Sequence, residues 1–204
     1  MAASIALILL AVAVYGFVHS LLATFWAKAR AREWIGPGAD RWYRLFYNLF
    51  SIVTLLPVLA LPAVLPDAPL YTIPPPWVYL STAGQLLAVA MLAVGVMQTG
   101  VWRFLGLQQV LEPGKVEPPR LVTGGLYRYM RHPLYTAGLL FIWLIPAMTV
   151  NLLALNIGLT AYLIVGALYE ERKLAREFGQ IYNLFRERTP MLIPGLRGRV
   201  IGRG

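Results

Sequence analysis

Cysteine is absent from the 204 residues, and histidine occurs only twice. These gaps exclude a disulfide framework, a thiolate nucleophile, a cysteine-based metal site and a histidine cluster, so no metal is expected. Charge is also scarce, at 13% of residues against 58% hydrophobic. What the chain has instead is a series of apolar runs, roughly 3–26, 45–65, 77–98, 133–148 and 152–169. At ~1.5 Å of rise per residue, each spans or nearly spans a bilayer core of ~30 Å.

The expected fold is therefore an all-α integral membrane protein with about five transmembrane helices. The last two form a tight helical hairpin about Thr149–Asn151, and a re-entrant hairpin fits the charge pattern equally. Beyond them Leu174, Phe178, Ile181, Tyr182 and Phe185 recur at helical spacing, with Arg172, Lys173, Arg176, Glu177 and Gln180 between them. This reads as a carboxyl-terminal amphipathic helix on the cytoplasmic interface. One membrane domain is expected over 1–204, with three helices in 1–98, the hairpin and interfacial helix in 99–194, and a basic tail in 195–204.

One sign of charge is missing from one side. All 18 lysines and arginines fall in the segments between runs one and two, between runs three and four, and after run five. The amino terminus, the proline-rich loop at 65–77 and the Thr149–Asn151 turn carry none. By the positive-inside rule the amino end lies outside and the carboxyl end in the cytoplasm, which in a bacterium means the inner membrane. The net charge of +9 is thus topological, and no nucleic-acid partner is expected. The first run lacks a basic n-region and exceeds the ~7–15 apolar residues of a signal peptide, so it reads as a retained helix.

Two places carry chemistry. Arg131, His132 and Pro133 open a helix, with proline at the first position, where its missing N–H costs nothing. The exposed N–H groups there favour an anion, helped by Arg131 and by His132 or Tyr135. The plain alternative makes Arg131 a positive-inside anchor and Tyr135 a belt aromatic. Glu170 lies at intervals of four from Leu174, Phe178 and Tyr182, which aims it along the apolar stripe. An acidic residue at mid-membrane costs ~2.5–3.5 kcal/mol, less near the interface, and calls for a partner. That partner is Arg131, Lys173 or a cationic ligand group such as an amine or sulfonium. Glu171 pairs with Arg128 or faces water. His19, inside the first run, reads as a neutral imidazole bonding another helix, with a substrate-side role as the alternative. Gln85 and Gln98 are read in the same way, and Trp102, Arg103, Gln108 and Gln109 are placed at the cytoplasmic mouth.

The stretches "LVTGGLYRYMRHPLY" (Leu121 to Tyr135) and "EERKLAREFGQIYNLFRERTPMLIP" (Glu170 to Pro194) resemble the carboxyl-terminal half of the isoprenylcysteine carboxyl methyltransferase and phospholipid methyltransferase superfamily. "GFVHSLLAT", "RWYRLFYNLFS", "FLGLQQV" and "IPAMTVNLLA" look like its bacterial methanethiol S-methyltransferase branch. The resemblance implies S-adenosylmethionine as cofactor without a Rossmann domain, and the chain has no strand–GxGxxG–helix unit. It assigns Leu121, Val122, Tyr127, His132, Pro133, Leu134, Tyr135 and Glu170 to the cofactor pocket. Arg131, Glu170 and Tyr135 are the expected catalytic set, with Arg131 steadying a bound thiol and Glu170 holding the cationic part of the cofactor. In the prenylcysteine enzymes an arginine contacts substrate four residues before that glutamate, where this chain has Gly166.

The implied function is methyl transfer to a small or lipophilic acceptor, best a thiol. The alternatives are a prenylated cysteine carboxylate or a phospholipid amine, and outside enzymes a membrane scaffold. A transporter would need ionisable groups along a path through the membrane, and apart from His19 the runs are bare.

Overall fold

A computed structural model of the protein describes residues 1–112 and 120–195. Apart from Gly195, the expected basic tail lies outside the described residues. In chain order the elements are α1 (Ala2–Leu22), α2 (Phe25–Ile35), α3 (Gly38–Val64), β1 (Pro69–Thr72), α4 (Trp77–Thr99), α5 (Val101–Leu105) and α6 (Leu107–Leu111). A 3₁₀ turn (Gly125–Arg128) follows, then α7 (Pro133–Trp143), β2 (Ala147–Thr149), α8 (Val150–Phe178) and α9 (Gln180–Arg188).

Among the described residues four helices, α1, α3, α4 and α8, are long and apolar enough to cross a membrane. Their outward faces carry large apolar side chains such as Leu10, Phe17, Leu80 and Leu86, all exposed. That is the reverse of a water-soluble bundle and suits contact with lipid tails.

The fourth expected run departs from expectation. It yields α7, a helix of 11 residues and so ~16 Å, short of the hydrocarbon thickness. Pro146 cannot continue a helix, and Ala147–Thr149 pair antiparallel with β1. The expected tight hairpin is thus opened by a strand, and the all-α expectation gains one small two-stranded sheet.

The chain forms two compact units. The first contains residues 1–73, 100–112 and 147–162. Its core is Ile8 and Val12 of α1, Val58 of α3, and Ala154 and Leu155 of α8, with Leu55, Leu159 and Tyr162 packed against it. Small residues permit the close approach: Gly158 faces Val12, and Gly16 faces the Tyr162 ring. At one end, Asp67 accepts from the backbone N–H groups of Ala68 (2.8 Å) and Asn151 (3.0 Å), while Ser4 and Asn151 donate to the Pro66 carbonyl. Slight burial opposes ionisation of Asp67, but bonds from Thr149, Asn151 and Ala68 outweigh it and hold the carboxyl below its usual range.

Within this unit the His19 ring lies between two phenols. Tyr47 Oη is 2.7 Å from Nε2 and Tyr162 Oη is 2.6 Å from Nδ1, with the Tyr15 ring stacked at 5.5 Å. The half-buried imidazole therefore joins α1 to α3 and α8, as the plain reading of a histidine inside the first run expects. Toward the far end of α3, Arg41 donates to the Val110 carbonyl, Arg44 to Arg103 and Asn48 to Phe104. Gly106 makes this docking feasible. Its φ is +87°, and a Cβ there would lie 2.6 Å from the Leu45 nitrogen.

The second unit contains residues 74–99, 120–146 and 163–195. In it α7 packs along α4: Leu134 lies over Gly95 and Leu144 over Gly84, while Ser81 donates to the Leu144 carbonyl and Gln85 to Phe141. Gln98 accepts from the Leu126 N–H, fixing the 3₁₀ turn to the same helix. The helix α8 runs on well past its apolar part and stops at Gly179, whose φ of +55° favours glycine. The expected amphipathic helix is therefore two pieces, the end of α8 and α9.

Gly106→Ala is expected to lower the melting temperature clearly, at a cost of about 1–3 kcal/mol from its positive φ and the clash with α3. Gly36→Ala, also at positive φ but with open space around it, is expected to cost less. Thermal denaturation of the two variants side by side checks this.

Candidate functional site

The site begins with a proline. Pro133 occupies the first turn of α7 with His132 as the capping residue, as the sequence predicts. A residue before proline is steered away from helical dihedrals, and His132 accordingly has φ −124° and ψ 64°. Arg131 and His132 therefore leave the helix and bond a neighbouring segment. Arg131 N–H donates to the Pro190 carbonyl at 2.9 Å and His132 N–H to Met191 at 3.1 Å, while the Thr136 hydroxyl donates to Leu192 at 2.8 Å. The chain after α9 is strapped along the start of α7.

The charged side chains assemble on this base. Glu170 and Glu171 are successive on α8 and point ~100° apart. Glu171 is 8% exposed, whereas the side chain of Glu170 is 43% exposed. Arg131 Nε lies 2.5 Å from Glu171 Oε1, and its Nη1 donates to the carbonyls of Thr189 (2.5 Å) and Arg186 (3.0 Å). The His132 ring sits between the two carboxylates, with Nε2 3.3 Å from Glu171 Oε1 and Nδ1 3.6 Å from Glu170 Oε2. Tyr135 meets the imidazole edge to face, with ring centroids 5.2 Å apart, and hydrogen-bonds Glu170.

Burial works against a charged His132, but the bonds and charges of Glu170 and Glu171 outweigh it and raise the group above the usual 6.5. Burial, then the nearby Glu170 charge, pushes the Tyr127 phenol up to about 12. Tyr182, fully buried beside Glu171, is likewise pushed up by burial and then by that carboxylate. Both phenols stay protonated donors at neutral pH.

The two glutamates exchange the places that the stripe argument gave them. Glu171, expected beside Arg128 or in water, is the buried partner of Arg131; Glu170 is half open and faces His132. The stripe from Glu170 to Tyr182 fails because Gly179 ends α8 before Tyr182 is reached. Ala167, one turn before Glu171 on the same face, is fully buried, but nothing in the sequence distinguishes it from the other apolar residues of the run. The Arg131 guanidinium, expected to receive an anion, is engaged by Glu171 and two carbonyls.

Of the remaining expected pocket residues, Tyr127 comes near enough to Glu170 for their charges to interact, and Pro133 is buried at the helix start. Leu134 turns to α4, and Leu121 and Val122 are half-buried on the segment before the 3₁₀ turn. Gly166, one turn before Glu170, lies against the Tyr135 ring.

The phospholipid methyltransferase family profile matches residues 83–181, a stretch that contains α7, α8 and both glutamates. Together with its relatives this shows that the chain belongs to that family of membrane methyltransferases. Within it the chain is similar to methanethiol S-methyltransferase 1 of Bradyrhizobium diazoefficiens, with 30% identity over 193 residues, 93% of this chain and 66% of the relative. It is also similar to the methanethiol S-methyltransferase of Crocosphaera subtropica, 34% identical over 128 residues, 58% of this chain and 50% of the relative. Methanethiol S-methyltransferase 2 of B. diazoefficiens is 46% identical over 74 residues, 36% of this chain and 29% of that protein. The chain thus spans about half the length of the curated relatives it matches. No solved structure matches it significantly.

Arg131→Met strands the buried Glu171 carboxylate and is expected to destabilise the protein by about 3–5 kcal/mol. The double variant Arg131→Met/Glu171→Met is expected to recover most of that loss, because no lone buried charge remains. Denaturation midpoints of the three proteins check it. His132 adds a pH dependence. Its folded value is raised, so its contribution is complete below about pH 6.5 and is lost as pH rises through the raised value. Melting temperature is expected to fall over that window, and His132→Gln to flatten the fall.

Proposed function

We propose that this protein is an S-adenosylmethionine-dependent methyltransferase of the membrane, acting on a small or lipophilic thiol, with its amino terminus outside and its carboxyl end in the cytoplasm. The observation that carries this reading is the half-open Glu170 carboxylate, set beside an imidazole and a phenol next to an ion pair that is already neutral. Arg131 cancels Glu171, and Glu170 receives counter-charge from nearby Lys173, one of its expected partners, and from His132 when that imidazole holds a proton. A ligand cation can replace that proton. A carboxylate with aromatic neighbours at the edge of an apolar helix fits the ammonium or sulfonium of such a cofactor.

Leu121, Val122, Tyr127, His132, Pro133, Leu134, Tyr135 and Glu170 would hold the cofactor, which supplies a methyl group on a cationic sulfur. Glu170 would bind the cationic part, and Tyr127 and Tyr135 would give it protonated phenols and ring faces. Arg131 acts as a positioning residue: through Glu171 and the Thr189 carbonyl it fixes the helix that carries Glu170. The apolar surroundings exclude water and favour a reaction in which a thiolate meets a cation and both charges vanish.

The acceptor is chosen on two grounds. The relatives named above are methanethiol S-methyltransferases. Gly166 offers no counter-charge to a carboxylate acceptor beside Tyr135, which disfavours a prenylated cysteine. N-methylation of a phospholipid amine is the second reading, favoured by the family profile.

Radiolabelled methyl transfer in proteoliposomes, with methanethiol, a prenylcysteine and phosphatidylethanolamine as acceptors, tests the proposal. Label in the thioether is expected. Label in the ester or the lipid alone overturns the thiol assignment, and no transfer with no cofactor binding overturns the enzyme. Because ligand cation and His132 proton compete, affinity for S-adenosylmethionine is expected to rise with pH through the raised His132 value. Calorimetry across pH 6 to 9, about the range of the imidazole and the cofactor's amine, checks this.

A further inference from the structure

A second polar feature lies in the first unit, and the proposed reaction does not use it. Two residues, Ala23 and Thr24, separate α1 from α2, which reads "FWAKARAREWI". Phe25, Trp26, Trp34 and Ile35 are exposed, the last two strongly, while Lys28 and Arg30 lie over the rings of Phe25 and Trp26. Exposed aromatics interleaved with cations, directly after a membrane-crossing helix, are the composition of the headgroup layer.

Beside this helix is a cavity of about 180 Å³ lined by Lys28, Ala39, Asp40, Tyr43, Arg44 and Gln109. It is small beside the ~300–1,000 Å³ that encloses a drug-sized ligand. Its lining carries two cations against one carboxylate, so it favours a singly negative group. Arg44 is anchored through Nη1 to the Arg103 carbonyl, and Tyr43 donates to Leu22, which leaves its oxygen able to accept. Gln109 Oε1 is buried, with no hydrogen-bond partner among the described residues. A buried amide oxygen of this kind needs a donor, and a bare phosphate diester has none to give.

We propose that this cavity binds the headgroup of an anionic phospholipid whose phosphate diester carries hydroxyl groups, as a phosphatidylglycerol does. The phosphate faces Lys28 and Arg44, and a headgroup hydroxyl donates to Gln109 Oε1. The exposed aromatic side chains of α2 lie among the acyl chains. The site is independent of the proposed methyl transfer, since none of its residues belongs to the α7–α8 cluster.

The test is native mass spectrometry of the full chain in detergent, titrated with short-chain phosphatidylglycerol, phosphatidylethanolamine and phosphatidylcholine, and with glycerol 3-phosphate. One phosphatidylglycerol per chain is expected, held about tenfold more tightly than phosphatidylcholine, which has no donor. Gln109→Leu changes no charge and is expected to shrink that preference, whereas Lys28→Gln weakens both lipids, because each presents a phosphate diester to Lys28. Equal retention of the two lipids overturns the proposal outright, and an unchanged preference in Gln109→Leu overturns it in favour of diffuse attraction of an anionic lipid to basic residues. Tighter binding of phosphatidylethanolamine assigns the cavity to an amine headgroup, and equal binding of glycerol 3-phosphate to a soluble phosphate; either overturns it.

Discussion

The buried bond between Arg131 and Glu171 is the constraint on which the candidate site depends. A guanidinium and a carboxylate this far from water are tolerable only together, and the remaining donors of Arg131 are taken by the carbonyls of Arg186 and Thr189. One side chain thereby ties three pieces of chain: the turn before α7, the buried face of α8, and the segment that follows α9. Because Glu171 is held, its neighbour Glu170 is set in the opposite sense, half open and against His132. Two adjacent residues of one type are thus differently placed, one locked in a buried ion pair and one half open.

The same economy runs through the membrane-crossing part. Helices with apolar outer faces gain nothing from hiding those faces from lipid, so association rests on close packing and on a few polar bonds. Gly16 and Gly158 in the first unit, and Gly84 and Gly95 in the second, supply the packing. His19 between two tyrosine hydroxyls, and Ser81 and Gln85 on carbonyls of α7, supply the bonds. Asp67 orders the opposite end of the first unit through the backbone N–H groups of Ala68 and Asn151 and the Thr149 side chain.

Much of this was legible in the sequence because the governing terms are local. Apolar run length gave α1, α3 and α4 to within a few residues at most ends, and Pro133 gave the start of α7. The family, too, could be read from the motifs around Arg131 and Glu170. What was missed depended on partners distant in sequence. Nothing near Met148 announces that it pairs with Tyr71, so run length alone implies a tighter hairpin and a longer α7 than the strand allows. Gly179 permits a break but does not demand one, so a stripe that runs through it from Glu170 to Tyr182 favours Glu170 over Glu171 for the buried face. The charge of Arg131 was visible, whereas the carbonyls that engage it belong to residues 55 and 58 positions away.

If the two adjacent glutamates divide structure from ligand binding, paired substitutions separate the two roles. Melting temperature and S-adenosylmethionine affinity would be measured together for Glu170→Gln and Glu171→Gln. Glu170→Gln is expected to melt close to the parent and to lose binding at least about tenfold, a change of ~1.4 kcal/mol, while Glu171→Gln melts markedly lower. Unchanged cofactor affinity in Glu170→Gln, or unchanged melting in Glu171→Gln, would show that the roles are not divided in this way.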